Sequence, residues 1–160
     1  MSANHYQPHV IVIPEDRANR QILSGFQLVC STRSIHRVPE AGGWLRVLDC
    51  FQSEHIPALR KYPARIVVLL VDFDGDMSRG QQVKSQIPAD LQDRVFGLGS
   101  QTCPEDLKTA GLGSFETIGR KMAQDCCQNT NEIWDHELLR HNAAELARFC
   151  QQARPILFGG

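Results

Sequence analysis

The stretch that decides the fold is RIVVLLVDFDGD, residues Arg65–Asp76. It begins as an unbroken, valine-rich apolar run, which predicts a strand buried on both faces of a sheet. An unpaired carboxylate inside such a strand would be very costly, so Asp72, Asp74 and Asp76 must lie where the strand emerges, at its C-terminal end. Strand alternation would send Asp72 and Asp74 to the same side, and Gly75 lets the chain turn directly after them.

Acidic residues at alternate positions after a strand indicate either a metal site or a turn. Two unit charges about 4 Å apart repel by roughly 4 kcal/mol at an effective dielectric constant near 20. A hard divalent cation held by oxygen ligands would offset that repulsion. Asp and Gly also dominate turns, so the motif alone favours neither alternative. A second acidic strand end, near the N-terminus, favours the metal site.

That second strand end follows the apolar segment His9–Ile13, which predicts a buried strand ended by Pro14. Glu15 comes directly after it. Asp16 is a plausible N-cap for a helix with apolar residues at helical spacing. Because sites in parallel sheets form outside the carboxyl ends of the strands, we expect Glu15 to meet the aspartates if the two strands are neighbours.

The rest of the chain alternates between strand-like and helix-like segments. Further strands are predicted around Ser34–Val38 and Arg94–Gly99, and helices after Gly43, over 78–87, near Glu105–Ala110, after Ser114 and near Asp135–Gln152, with a connector from Cys126 to Thr130. This order predicts an α/β fold: three layers, with a mainly parallel central sheet flanked by helices. We expect a single domain over residues 1–160, with the motifs in residues 9–100 and a helical C-terminal part in 101–160.

Composition indicates the class of protein, its cellular compartment and the state of its cysteines. An apolar content of 42% is typical of a globular domain. No run reaches the roughly 18 apolar residues of a membrane span, and Met1–Pro8 lacks an apolar signal core, so we expect a cytoplasmic protein. None of the six cysteines forms a C-x-x-C pair. That pattern predicts reduced, mostly buried thiols, and argues against a zinc site or a disulfide framework.

Charge argues against a generally basic nucleic-acid binder, since the formal net charge is −1. A local patch of arginines in the first half of the chain remains an alternative to individually solvated side chains. Arg17 and Arg20 follow Glu15 closely, and either contact a phosphate or face solvent. No Gly-x-x-x-x-Gly-Lys-[Ser/Thr] motif occurs, so the chain does not hydrolyse ATP by a P-loop.

The two acidic strand ends together resemble the Toprim (topoisomerase–primase) domain. The matching pattern is a strand ending in Glu, an Asn four residues on, and a later strand ending in Asp-x-Asp, carried here by Glu15, Asn19, Asp72 and Asp74. The turn Gly42-Gly43-Trp44 also resembles a Gly-Gly turn of small bacterial Toprim-like proteins. The resemblance covers about residues 9–100. Toprim proteins commonly carry a Gly shortly after the Glu, whereas Asp16-Arg17 stands here.

The resemblance implies a Mg²⁺ (or Mn²⁺) site and enzymes that cut, join or synthesise nucleic-acid strands. Glu15 would act as general acid/base or metal partner, and Asp76 would either join the metal shell or cap the next helix, the cap being favoured. The candidate catalytic residues are therefore Glu15, Asn19, Asp72 and Asp74, the candidate metal ligands Glu15, Asp72, Asp74 and Asp76, and the candidate phosphate contacts Arg17 and Arg20. Larger relatives join Toprim to an ATPase, so a separately encoded ATPase partner is expected alongside nucleic acid.

Two alternatives remain open. A receiver-like phosphotransfer domain would use Asp72 as phosphoacceptor beside the acidic pair Glu15-Asp16. It also expects a Lys in a later strand-end loop, and Gly99–Cys103 contains none. In the other alternative, the chain is a non-catalytic partner protein with a vestigial acidic cluster.

Overall fold

The fold is built on a four-stranded parallel sheet. The computed structural model describes residues 5–31 and 33–159. The strands are β1 (His9–Pro14), β2 (Ile35–Arg37), β3 (Arg65–Leu70) and β4 (Val95–Leu98), in the order β2-β1-β3-β4. Every neighbouring pair is parallel. The predicted parallel α/β architecture is confirmed.

Seven α-helices lie in the described part of the chain. They are α1 (Arg17–Gln27), α2 (Trp44–Cys50), α3 (Ile56–Lys61), α4 (Arg79–Ser85), α5 (Pro104–Thr109), α6 (Phe115–Gln128) and α7 (Ala143–Phe158). A π-helical turn, Phe51–His55, joins α2 to α3, and 3₁₀ turns occupy 89–94 and 140–142. Within these described ranges, no helix has the length and apolar character needed to cross a membrane.

The sheet separates two apolar cores, which makes the fold three-layered. Alternate residues of each strand face opposite sides, so Val10 of β1 lies in one core and Ile11 in the other. Side chains of α1, α6 and α7 fill the first core. The second is filled from α2, the π-turn, α3 and α4. Strands buried on both faces explain why the sequence of β1 and β3 reads as unbroken apolar runs.

Helices α1 and α6 cross at very close range because each offers a glycine at the contact. A Cβ atom on Gly25 of α1 would overlap the backbone of Glu116, and one on Gly119 of α6 would overlap the backbone of Ile22. Any larger residue at these positions would push the helix backbones apart. Gly25 is therefore a packing residue inside α1.

We expect Gly119→Ala to destabilise the protein by about 1–3 kcal/mol, because overpacking at a rigid backbone contact outweighs a gain of about 1 kcal/mol in helix propensity. Gly80→Ala in α4 is the matched control. Its Cβ would meet only the Phe73 ring, at 3.3 Å, so the free energy of unfolding should change far less. Urea unfolding of both variants measures the difference. Equal effects would show that the α1–α6 crossing can relax.

The C-terminal helices differ from the predicted boundaries. The segment 126–130, predicted as a connector, is helical as far as Gln128, and Asn129 ends α6 in a left-handed conformation (φ 56°). The last helix was predicted near Asp135–Gln152, but α7 begins at Ala143 and continues through Pro155. The buried Asp125 carboxylate holds the turns that follow α6, because it accepts hydrogen bonds from the Ile133 amide (2.8 Å) and the Thr130 hydroxyl (2.6 Å).

The prediction of reduced, mostly buried thiols is wrong in two respects. Cys126 of α6 and Cys150 of α7 form a disulfide, with Cα atoms 5.8 Å apart. The remaining four cysteines are free; Cys127 is exposed and the others are half-buried. Spacing along the chain gave no sign of the pairing, because only the packing of α6 beside α7 brings the two thiols together.

Candidate active site at the carboxyl ends of β1 and β3

The candidate site lies where two adjacent strands end side by side. β1 and β3 are in register to their last residues, with Pro14 opposite Leu70, and the Glu15 amide still donates to the Leu70 carbonyl at 2.9 Å. The chain leaves β1 towards β2 on one side and returns through β3 on the other. Such a topological switch point is where parallel α/β sheets place their ligands.

Three carboxylates converge there. Oxygen atoms of Glu15, Asp16 and Asp72 all lie within 4.8 Å of one another. Glu15 is only 6% exposed and Asp72 only 4%. The structure thus brings together Glu15 and Asp72, as the sequence predicted, and adds Asp16, which the sequence presented as a helix cap and, in the receiver-like alternative, as part of an acidic pair.

Asn19 holds the acidic residues in place. Its side chain is 1% exposed, and Nδ2 donates to Oδ1 of Asp16 at 3.0 Å and to Oδ1 of Asp72 at 2.9 Å. Asp16 Oδ1 also accepts from the Asn19 amide at 2.9 Å, which confirms Asp16 as the N-cap of α1. Asn19 follows Glu15 by four residues, about one helical turn. The first turn of α1 therefore places the Asn19 side-chain amide beside the ends of β1 and β3.

Burial makes the carboxylate pair retain a proton. It raises the pKa of Asp72 to about 8, with the hydrogen bond and the charge of Glu15 acting in the same direction against the Asn19 hydrogen bond. Burial also raises the pKa of Glu15. Glu15 Oε1 is buried and has no hydrogen-bond partner among the described residues. Buried polar atoms are rarely left unpaired, so this oxygen is a candidate metal ligand.

Asp74 is not one of the three clustered carboxylates, although its charge contributes to the raised pKa of Glu15. It adopts a left-handed backbone conformation (φ 51°), and its carboxylate pairs with the guanidinium of Arg79. Arg79 Nη1 also donates to the Asp72 carbonyl at 2.9 Å, and the guanidinium lies over the Trp44 ring, 4.3 Å from its centroid. The prediction that Asp74 lies beside Asp72 assumed that side chains go on alternating after β3. This alternation does not extend as far as Asp74.

Arg79 is the site residue that sequence reasoning missed. Its guanidinium donates to the Asp72 carbonyl just after the strand, and the residue is buried. The available signal was Trp44, which follows the Gly42-Gly43 turn. The amides of both glycines, in left-handed conformations, donate to the Glu15 carbonyl at 2.8 and 3.2 Å. That turn brings Trp44 over the site, where its ring can hold a guanidinium.

The other predicted site residues lie at the rim. Asp76 is exposed and accepts from the Ser78 amide (2.9 Å) and hydroxyl (2.6 Å) just before α4; these bonds lower its pKa. It therefore stabilises the turn into α4, close to the favoured capping role. Arg17 is exposed at the start of α1. Arg20 forms a salt bridge with Glu40 at 3.1 Å.

Comparisons with known proteins give no relative to set beside this geometry. No protein-family model matches the chain. No curated protein and no solved structure matches it either.

The shared proton predicts a specific dependence of stability on pH without metal. The pKa of Asp72 rises from its ordinary 3.8 to about 8 on folding, so the folded state binds this proton more tightly than the unfolded chain. The resulting stabilisation is complete below about pH 4 and is lost as the pH rises towards 8. In Asp72→Asn this loss should disappear.

Urea unfolding of wild type and Asp72→Asn in EDTA, at intervals from pH 5 to 8, measures the effect. Burial lowers the pKa of His9, His55 and His141, which acts in the opposite direction. Both proteins share those histidines, so the difference between the two curves isolates Asp72. Parallel curves would show that the pair holds no proton.

Proposed function

We propose that this protein carries out Mg²⁺- or Mn²⁺-dependent phosphodiester chemistry on nucleic acid, as a nuclease or strand-nicking enzyme. The observation that carries the proposal is the buried pair of Glu15 and Asp72, with a third carboxylate, Asp16, within 4.8 Å and one Glu15 oxygen without a hydrogen-bond partner among the described residues. The Toprim-like order of Glu15, Asn19 and Asp72 supports the same chemistry.

The donor set fits a hard divalent cation. Glu15, Asp16 and Asp72 offer carboxylate oxygens, which Mg²⁺ and Mn²⁺ prefer. A bound cation would replace the proton that the pair otherwise keeps, so binding and deprotonation of Asp72 are linked. When bound, the ion would neutralise charge that develops on a phosphoryl group.

The surrounding side chains supply positioning and charge. Asn19 fixes the rotamers of Asp16 and Asp72 through the two hydrogen bonds of its amide. Glu15, with one free oxygen, is suited to accept a proton from an attacking water. Arg79 is held by Asp74 and Trp44 beside the Asp72 backbone, where its charge favours an incoming phosphate. Exposed Arg17 is the remaining candidate contact to the phosphate backbone.

A receiver-like phosphotransfer domain is the second candidate, and the strand order favours it. The order β2-β1-β3-β4 follows the flavodoxin-like arrangement 2-1-3-4, with acidic residues after β1 and β3. In that case Asp72 would attack the phosphorus of a small acyl phosphate, whose carboxylate would leave. Intact mass after incubation with acetyl phosphate would show one added phosphoryl group, absent in Asp72→Asn.

Metal binding should stabilise the native state. We expect millimolar Mg²⁺ or Mn²⁺ to raise the melting temperature of wild type at pH 8, because a ligand that binds only the folded state stabilises it. Asp72→Asn should abolish this shift. Asp76→Asn, an exposed acid outside the cluster, should keep it. A shift that survives Asp72→Asn would place the ion elsewhere.

Catalysis is tested with plasmid, single-stranded DNA and RNA substrates in Mg²⁺, Mn²⁺ and EDTA. The protein is assayed alone and together with a separately encoded ATPase partner. Asp72→Ala and Glu15→Gln should reduce cleavage by at least about 100-fold, since each removes a group on which the transition state depends. Asp76→Asn should cleave as wild type does. Cleavage that persists in EDTA or in Asp72→Ala would refute the proposal. A complete absence of cleavage, with metal bound, would favour the non-catalytic partner protein.

A further inference from the structure

The helical segment from α2 to α3 contains an unusual break. Between these two helices the π-turn Phe51–His55 is closed by a hydrogen bond from the Ile56 amide to the Phe51 carbonyl, five residues back. Pro57 follows in the first turn of α3 and has no amide hydrogen to continue an α-helical ladder. π-turns inside helices are rare and often mark functional sites.

The π-turn places three metal-binding side chains together. Ligand atoms of Cys50, Glu54 and His55 lie within 4.8 Å of one another, and the Cys50 thiol donates to Glu54 Oε2 at 3.3 Å. In a regular α-helix, residues four apart share a face but residues five apart do not. The wider π-turn brings His55 round to the face of Cys50 and Glu54.

His55 provides the independent sign of a ligand. It is only 7% exposed, yet neither ring nitrogen has a hydrogen-bond partner among the described residues. A buried imidazole with no hydrogen-bond partner is destabilising, and coordination of an ion would give one of the two ring nitrogens a partner.

We propose that Cys50, Glu54 and His55 form a binding site for Zn²⁺, separate from the acidic site. Thiolate and imidazole are the donors that select zinc over Mg²⁺, and a carboxylate commonly completes such a set. Three protein ligands leave the fourth tetrahedral position open to water. Typical Zn–S and Zn–N bonds are about 2.3 and 2.0 Å long, so a bound ion would draw the three donors, which lie within 4.8 Å of one another, around itself.

The protonation states are consistent with this site. Burial, together with the nearby charge of Arg65, lowers the pKa of His55 and keeps its imidazole neutral. Burial and the Glu54 hydrogen bond raise the pKa of Cys50 to about 11, so the free site holds a thiol. Zinc binding forms the Zn–S bond as the S–H bond breaks, and one proton leaves to solvent. Binding should therefore strengthen as the pH rises.

The experiment is a titration of chelator-treated, tag-free full-length protein with Zn²⁺, in competition with a chromogenic chelator, and separately with Co²⁺. We expect about one equivalent to bind, with a thiolate-to-Co²⁺ charge-transfer band. Cys50→Ser and His55→Gln should each weaken Zn²⁺ binding by at least about 100-fold, and Cys50→Ser should abolish the band. Cys103→Ser, which replaces another half-buried free cysteine, should change neither. Asp72→Asn should also leave zinc binding intact.

A second measurement needs no variant. In wild type, bound Zn²⁺ should protect Cys50 from iodoacetamide while Cys103 and Cys127 react at unchanged rates, as mapped by mass spectrometry. Failure of wild type to bind Zn²⁺ at micromolar concentration would overturn the site. So would binding that is unchanged in both Cys50→Ser and His55→Gln, or equal protection of all three cysteines.

Discussion

The in-register pairing of β1 with β3 is the constraint on which the candidate site depends. Because both strands end at the same level, Glu15 and Asp72 must emerge side by side, and both are buried by the layers that cover the sheet. Two buried carboxylates cannot both ionise without a compensating charge. The surrounding structure offers compensation that is only partial: the Asn19 amide contacts one carboxylate oxygen, while Arg79 reaches the backbone of Asp72 but is paired with Asp74. The remaining imbalance is the physical basis of the proposed cation site.

Sequence patterns revealed the fold and half of the site because both are local consequences of burial. Apolar runs that end in acids can only be strands leaving a core, and parallel strands collect their ends at one edge. Those rules located Glu15 and Asp72. They do not extend as far as Asp74, which turns to Arg79 in a left-handed conformation. Arg79 was missed because its position depends on a tertiary contact with the Trp44 ring at the start of α2, which Trp44 alone does not specify in the sequence.

In the C-terminal part, too, sequence patterns predicted the elements but not the tertiary contacts that end them. Helical periodicity predicted α6 and α7 as helices, but their ends are set by tertiary contacts. The buried carboxylate of Asp125 holds the turn after α6, and the Asn142 side chain accepts from the Gly99 amide and donates to the Gly99 carbonyl, which fixes the start of α7 against the end of β4. The disulfide belongs to this category too, because it requires two helices to pack before its cysteines can meet.

Two buried polar groups without hydrogen-bond partners, Glu15 and His55, set the two proposed metal sites apart chemically. Each unpaired group destabilises the metal-free fold. A ligand that pairs with the group removes this cost. The first group is an oxygen among carboxylates, and the second a ring nitrogen beside a thiol and a single carboxylate. Ligand type, more than cavity size, decides whether such a donor set binds a hard or a borderline-soft cation. The two proposals therefore call for different cations, a hard divalent ion at the carboxylate cluster and zinc at the π-turn cluster.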